Sequence, residues 1–120
     1  MPGIILLIDD EEIIRMTSGE ILSELGYEVL SAASGDEGMA ILKERASSIS
    51  LIILDMSMPG KSGLEIYREI KSFLPSMKVL LTSGYKEEEK VEQMLEEAND
   101  GFIQKPYTID ELNNKLSAMI

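Results

Sequence analysis

The sequence predicts an α/β domain built on a doubly wound parallel sheet of five strands. Short aliphatic runs alternate with longer segments of helical period, and this alternation is typical of βαβ units around a parallel sheet. Five strand and helix pairs use the whole chain of 120 residues, so we expect one domain over residues 1–120. Right-handed crossovers then favour the strand order 2-1-3-4-5.

The strands are predicted from the aliphatic runs. They span Ile4–Ile8, Tyr27–Ser31, Leu51–Leu54, Lys78–Thr82 and Gly101–Gln104. The first, third and fourth are almost entirely aliphatic, as expected of strands that helices cover on both faces. The second strand has fewer apolar residues, which favours a place at an edge of the sheet.

The helices are predicted from apolar residues that recur at helical spacing. On the first helix Ile14, Thr17, Ile21, Leu22 and Leu25 lie on one face. Gly26 follows them in the position of a C-terminal cap. The second helix is expected from about Asp36 to Ala46.

The remaining three helices carry clearer signals at their ends. The third has Leu64, Tyr67, Ile70 and Leu74 facing inward. It should end before Pro75, because proline cannot continue a helix. The fourth, Glu87–Ala98, has a strongly acidic outer face. The fifth begins with Thr108 and Glu111, which fit a capping box.

The composition excludes several classes of function. With 22 acidic and 11 basic residues the net charge is −11, which repels nucleic-acid phosphates and anionic membranes. We therefore expect no direct binding to nucleic acid or membranes. The chain has no Cys and no His, so disulfides, thiolate metal sites and imidazole base catalysis are excluded. The absence of Cys fits a cytoplasmic location, and the first aliphatic run is too short to span a membrane.

Polar residues follow four of the predicted strands at the edge where α/β sheets bind ligands. They are Asp9, Asp10 and Glu11, then Asp55, then Ser83, which Gly84 follows, and finally Lys105, which Pro106 follows. Neighbouring carboxylates repel each other unless a cation lies between them. A site of oxygen ligands alone suits Mg²⁺ better than Zn²⁺. Taken singly, each segment has an ordinary alternative as a helix cap or a turn, so the inference depends on their joint occurrence.

Four motifs in this order, LLIDDEE, LIILDMSMPGKSGLE, VLLTSGY and FIQKPYT, resemble the receiver domains of two-component response regulators. The last two are also similar to receivers attached to hybrid sensor kinases. The resemblance covers nearly the whole chain and implies a flavodoxin-like fold. It further implies that Asp55 accepts a phosphoryl group from a phosphohistidine on a histidine kinase or a histidine phosphotransfer domain.

The resemblance also implies how the metal is held. Asp10, Asp55 and the backbone carbonyl of Ser57 would bind Mg²⁺, and Asp9 would contribute through a water molecule. Pro59 and Gly60 would shape the loop that follows, and Gly63 matches a glycine of the family near the start of the third helix.

Three further residues acquire roles from the same resemblance. Lys105 would pair with a phosphoryl oxygen. The switch hydroxyl would belong to Ser83, because the small Gly84 follows it, with Thr82 as the alternative. Phe102 would be the switch aromatic, where many members of the family have Tyr; its alternative is an ordinary core residue.

Such a protein would catalyse only its own phosphorylation and dephosphorylation. Phosphorylation would change the surface formed by the fourth and fifth strands and the fourth and fifth helices. That surface would then bind a downstream output protein or domain, or a second copy of the chain. Three alternatives stay open. A haloacid-dehalogenase-type phosphatase would need a second Asp where Ser57 stands, and a flavodoxin-like nucleotide-binding module would need a phosphate loop without the acids. A degenerate receiver would act only as a docking module.

Overall fold

One parallel sheet of five strands organises the computed structural model, which describes residues 3–56, 63–83, 101–104 and 107–120. The strands are β1 (Ile4–Ile8), β2 (Glu28–Ala32), β3 (Ile49–Asp55), β4 (Val79–Ser83) and β5 (Gly101–Gln104). Four helices are described: α1 (Glu12–Glu24), α2 (Gly35–Arg45), α3 (Gly63–Phe73) and α4 (Ile109–Met119). The predicted helix Glu87–Ala98 lies outside the described residues.

The strand order is β2-β1-β3-β4-β5, and every neighbouring pair is parallel. The predicted flavodoxin-like topology is therefore confirmed, with β2 at an edge. The bounds of β1 and β5 are those predicted. β3 is longer than predicted and includes Asp55, whose backbone pairs with Thr82 on β4.

Helices cover both faces of the sheet and separate the core into two clusters. On one face α2 and α3 pack against alternate strand residues, and the buried helix residues there are Met39, Leu42, Ile66, Tyr67 and Ile70. On the other face α1 and α4 bury Leu22, Leu112 and Leu116. Burial on both faces explains why β1, β3 and β4 are mostly aliphatic. No described helix is long and apolar enough to cross a lipid bilayer.

One prediction about α1 is wrong. Thr17 was expected to face the core, but it is exposed, and its hydroxyl donates to the carbonyl of Ile13 at 2.9 Å. Ser18 is buried instead, one turn before Leu22. A serine thus occupies a place in the apolar stripe, which a search for apolar residues overlooks.

Three predicted helix ends are confirmed, whereas α2 begins and ends one residue before its predicted bounds. Gly26 follows α1 with φ of 98°, a left-handed conformation that favours glycine. α3 ends at Phe73, two residues before Pro75. At the start of α4, Thr108 and Glu111 form the capping box through hydrogen bonds of 3.1 Å in each direction.

Candidate functional site

Three carboxylates meet at the carboxyl end of the sheet. Asp9 follows β1 and Asp55 ends β3, and these two strands are neighbours with Ile8 opposite Leu54. Asp10 is the next residue after Asp9. One carboxylate oxygen from each of the three residues lies within 4.8 Å of the others. The strand order therefore brings together residues that are 45 positions apart in the chain.

The three carboxylates differ in exposure. Asp9 is 1% exposed and Asp55 is 2% exposed, whereas Asp10 is open to solvent. No buried side-chain nitrogen or oxygen among the described residues lacks a hydrogen-bond partner. The site thus combines two buried, bonded carboxylates with one that solvent reaches.

Local hydrogen bonds hold the acidic segment after β1. The backbone N–H of Asp9 donates to the carbonyl of Ala32 at 3.1 Å. One carboxylate oxygen of Asp9 accepts a bond from the N–H of Glu11 at 2.9 Å. The Nη1 of Arg15 donates to the Asp9 carbonyl at 2.7 Å. The first turn of α1 therefore fixes the backbone that precedes Asp10.

A helix cap does not account for this arrangement. The N-cap residue of α1 is Glu11, and its side chain makes no capping hydrogen bond. The bond from the Glu11 N–H to the Asp9 carboxylate is local, but it gives no reason for Asp55 to lie beside the acidic pair. The joint placement of three carboxylates favours a site over a turn.

The donor set fits a hard divalent cation. All three side chains offer oxygen ligands at a mutual spacing of 4.8 Å or less, and Mg²⁺ prefers oxygen ligands and retains waters. Asp10, which is exposed, leaves the cluster open to those waters. This acidic cluster could therefore bind a metal ion.

The two candidate switch hydroxyls occupy consecutive positions at the end of β4. Thr82 is 1% exposed, and its hydroxyl donates to the carbonyl of Leu54 at 3.5 Å. Ser83 is the last residue of β4 and lies opposite Gln104 in the register; its side chain is outside the described part of the structure. Phe102 is half-buried and packs against the cluster formed with α2 and α3.

Other predicted residues fall outside the described part of the chain. They are Ser57, Pro59, Gly60, Gly84, Lys105 and Pro106. Gly63 is described: it begins α3 and packs directly on Met56, the residue after Asp55. The glycine is thus needed for close approach, since a Cβ built on it would lie 2.6 Å from the Met56 Cα.

Sequence reasoning missed two contacts near the site. One is the bond from Arg15 to the Asp9 carbonyl, and the other joins the hydroxyls of Ser18 and Tyr107 at 2.7 Å. A buried serine within an apolar helical stripe is the signal that could have revealed the second. The first carries no sequence signal, since a basic residue in a first helical turn has many ordinary uses.

Comparison with known proteins gives a consistent family. Residues 5–117 match the family model described as the response regulator receiver domain. The sensor kinase CckA of Brucella abortus is 31% identical over 116 residues, which are 97% of this chain and 12% of that protein. The sporulation initiation phosphotransferase F of Bacillus subtilis is 32% identical over 111 residues, 92% of this chain and 87% of that one.

Solved structures show the same similarity. A receiver domain protein from Clostridium thermocellum superposes with a TM-score of 0.93 at 36% identity, over 98% of this chain and 94% of that chain. Coverage of the curated relatives varies: this chain spans 12% of the kinase CckA and 30% of a cyclic di-GMP phosphodiesterase of Thermotoga maritima.

Proposed function

This chain belongs to the family of response regulator receiver domains, and from that premise we propose that Asp55 is its phosphoacceptor. Receivers act in the phosphorylation-based signalling of two-component systems and are signalling domains rather than enzymes with a separate substrate. The observation that carries the proposal is the placement of Asp55 beside Asp9 and Asp10 at the end of the sheet. The proposed unit is one receiver over residues 1–120.

The acidic cluster is proposed as the Mg²⁺ site. In this proposal Asp10, Asp55 and the backbone carbonyl of Ser57 would hold the ion, and Asp9 would contribute through water. When bound, Mg²⁺ neutralises charge on the carboxylates and on the phosphoryl oxygens that approach them. The mutual spacing of the carboxylates, within 4.8 Å, supports this assignment.

Asp55 performs the covalent step. One of its carboxylate oxygens attacks phosphorus in line with the bond that leaves. A new O–P bond forms as the P–N bond to the donor imidazole breaks, and the electron pair stays with that nitrogen. The product is an acyl phosphate, which water later hydrolyses to restore the carboxylate. A nucleophile fixed at the end of a strand loses little freedom on reaching the attacking position.

Lys105 and Ser83 are proposed to detect the phosphoryl group. Lys105 pairs with one phosphoryl oxygen, and the Ser83 hydroxyl bonds another. The choice of Ser83 over Thr82 is supported by the Thr82 side chain, which is buried and whose hydroxyl donates to the Leu54 carbonyl at 3.5 Å. Phe102, which is half-buried against the cluster formed with α2 and α3, is the proposed switch aromatic.

The proposed phosphoryl donor is a histidine kinase or a histidine phosphotransfer domain. The relatives named above include a sensor kinase and a phosphotransferase, which supports a place in such a chain of transfers. A downstream output protein or domain, or a second copy of this chain, recognises the phosphorylated face. Direct binding to nucleic acid or membranes is not part of the proposal, because the net charge is −11. The proposed location is cytoplasmic.

Labelling by a small phosphodonor tests the assignment. Acetyl phosphate with Mg²⁺ should phosphorylate the wild type, and chelation of Mg²⁺ should abolish the reaction. Asp55→Asn should remain unlabelled, whereas Asp36→Asn, an exposed position in the first turn of α2, should be labelled normally. Equal labelling of Asp55→Asn would refute the assignment.

The same measurements separate the alternatives. A degenerate receiver that serves only for docking would take no label from acetyl phosphate or from a phosphorylated histidine domain. A phosphatase of the haloacid-dehalogenase type would turn over a phosphomonoester continuously, and a nucleotide-binding module would bind flavin or nucleotide.

A further inference from the structure

A guanidinium from α1 reaches back to the loop between β1 and α1. Arg15 is half-buried in the first part of α1, and its Nη1 donates to the backbone carbonyl of Asp9 at 2.7 Å. The Asp9 carboxylate has a different local partner, since it accepts a bond from the N–H of Glu11 at 2.9 Å. The two bonds therefore hold the same short segment on either side of Asp10.

These bonds restrain the two peptide groups that flank the Cα of Asp10. The Asp9 carbonyl belongs to the peptide group before that Cα, and the Glu11 N–H belongs to the peptide group after it. A peptide group is planar, so a hydrogen bond to its oxygen or from its N–H restrains all of its atoms. With both groups restrained, the backbone angles of Asp10 are restrained as well, and with them the direction of its Cα–Cβ bond.

The side chain of Asp10 has little other support. It is exposed, and within the described part of the chain no hydrogen bond to its carboxylate is seen. Asp9 and Asp55, the other members of the acidic cluster, are buried and bonded. An exposed carboxylate without such a bond takes its position from the backbone. The anchored peptide groups therefore set where the Asp10 oxygens lie relative to the cluster.

We infer that Arg15 is a positioning residue for Asp10, and that its bond to the Asp9 carbonyl strengthens the binding of a divalent cation by the acidic cluster. The inference rests on the Mg²⁺ site proposed above. The charge of the guanidinium has the opposite effect, because it repels a cation. Bonds that orient metal ligands commonly change metal affinity by about tenfold or more, whereas salt screens repulsion at an open site. Positioning should therefore outweigh repulsion.

Arg15→Met tests the inference, because methionine is a good helix former but has no N–H to donate. Titration with MgCl₂, followed by the amide NMR signals, gives the Kd without any phosphorylation. The Kd should rise by about threefold to tenfold, the scale of one hydrogen bond. An unchanged or lower Kd would overturn the inference, and a lower one would show that repulsion dominates.

Arg15→Lys should rescue binding. A single nitrogen of Arg15 makes the bond, and the lysine ammonium can also donate to a carbonyl, so the Kd should lie within about twofold of the wild-type value. A Kd as high as that of Arg15→Met would overturn the inference. The rise in Arg15→Met should persist in about 1 M KCl, where the Debye length is about 3 Å, and its disappearance there would contradict a positioning role.

Arg45→Met is the matched control. Arg45 is exposed in the last turn of α2, and the chain then enters β3 at Ile49, at the opposite end of the sheet from the acidic cluster. The substitution changes the net charge by the same amount, and the Kd for Mg²⁺ should stay at the wild-type value. A rise equal to that of Arg15→Met would overturn the inference, since the loss of any arginine would then have the same effect.

Removal of the Asp10 carboxylate separates positioning from general support of the fold. Asp10→Ala should raise the Kd for Mg²⁺ by itself, and adding Arg15→Met should cause no further rise, because no carboxylate remains to be positioned. An equal rise with and without Asp10 would overturn the inference, since a purely structural role does not depend on that side chain. A wild-type Kd in Asp10→Ala would instead overturn the proposed Mg²⁺ site.

Discussion

A methyl group on residue 63 should disturb both the fold and the proposed site. A Cβ built on Gly63 lies 2.6 Å from the Met56 Cα and 3.2 Å from its carbonyl carbon, whereas ordinary contacts start at 3.4 Å. Backbone atoms cannot rotate out of the way as a flexible side chain can. Gly63→Ala must therefore move α3 or the residue after Asp55 by roughly 1 Å, because protein interiors are closely packed.

The expected cost follows from that displacement. Overpacking of this kind lowers the free energy of unfolding by about 1–3 kcal/mol. A shift of Asp55 from its attacking position should slow phosphorylation by about tenfold to a hundredfold. Urea unfolding followed by circular dichroism gives the first quantity, and labelling with acetyl phosphate in Mg²⁺ gives the second.

Gly19→Ala provides the control for this experiment. Gly19 lies within α1, and nothing is within 4 Å of a Cβ built on it. Alanine in a helix interior should raise the free energy of unfolding by about 0.5–1 kcal/mol, with no change in the labelling rate. If Gly63→Ala unfolded at the wild-type urea concentration and reacted at the wild-type rate, the argument from close approach would be refuted.

Three further changes test other parts of the account. Gly38→Ala places a Cβ 2.5 Å from the Ile8 Cδ1, so it should lower the free energy of unfolding in urea by about 1–3 kcal/mol. Adding Ile8→Val, which removes that Cδ1, should restore part of the loss, and no recovery would count against the clash. Thr108→Ala removes the α4 cap and should cost about 1 kcal/mol by the same measurement; an unchanged midpoint would contradict this. Mg²⁺ at a hundredfold its Kd should stabilise the wild type by about 2.7 kcal/mol in thermal melts; an equal effect on Asp10→Asn would exclude that residue as a ligand.

The fold was predictable because its signals are local and repeated. Aliphatic runs specify strands that are buried on both faces, and β1 and β5 have the bounds that their apolar residues predict. The predicted β3 ended one residue too early, because Asp55 is polar and yet belongs to the strand through its pairing with Thr82. Strand membership is decided there by backbone hydrogen bonds, which composition does not reveal.

The part of the site that could be predicted consists of the residues that lie at the carboxyl ends of the strands. Asp9, Asp10 and Asp55 could be grouped once the strand order was known, because parallel strands deliver their carboxyl ends to one edge. The bond between Ser18 and Tyr107 could not be predicted in this way. It depends on the rotation of α1 about its axis, and the apolar pattern placed Thr17 rather than Ser18 on the inner face.

The most direct test of the central claim is to identify the residue that carries the phosphoryl group. Wild-type protein treated with acetyl phosphate and Mg²⁺ would be reduced with borohydride, which converts an aspartyl phosphate to homoserine, and its peptides would be sequenced by mass spectrometry. The account predicts homoserine at position 55 alone, and none when Mg²⁺ is chelated. Homoserine at Asp9 or Asp10, or a labelled protein with an unmodified Asp55, would contradict it.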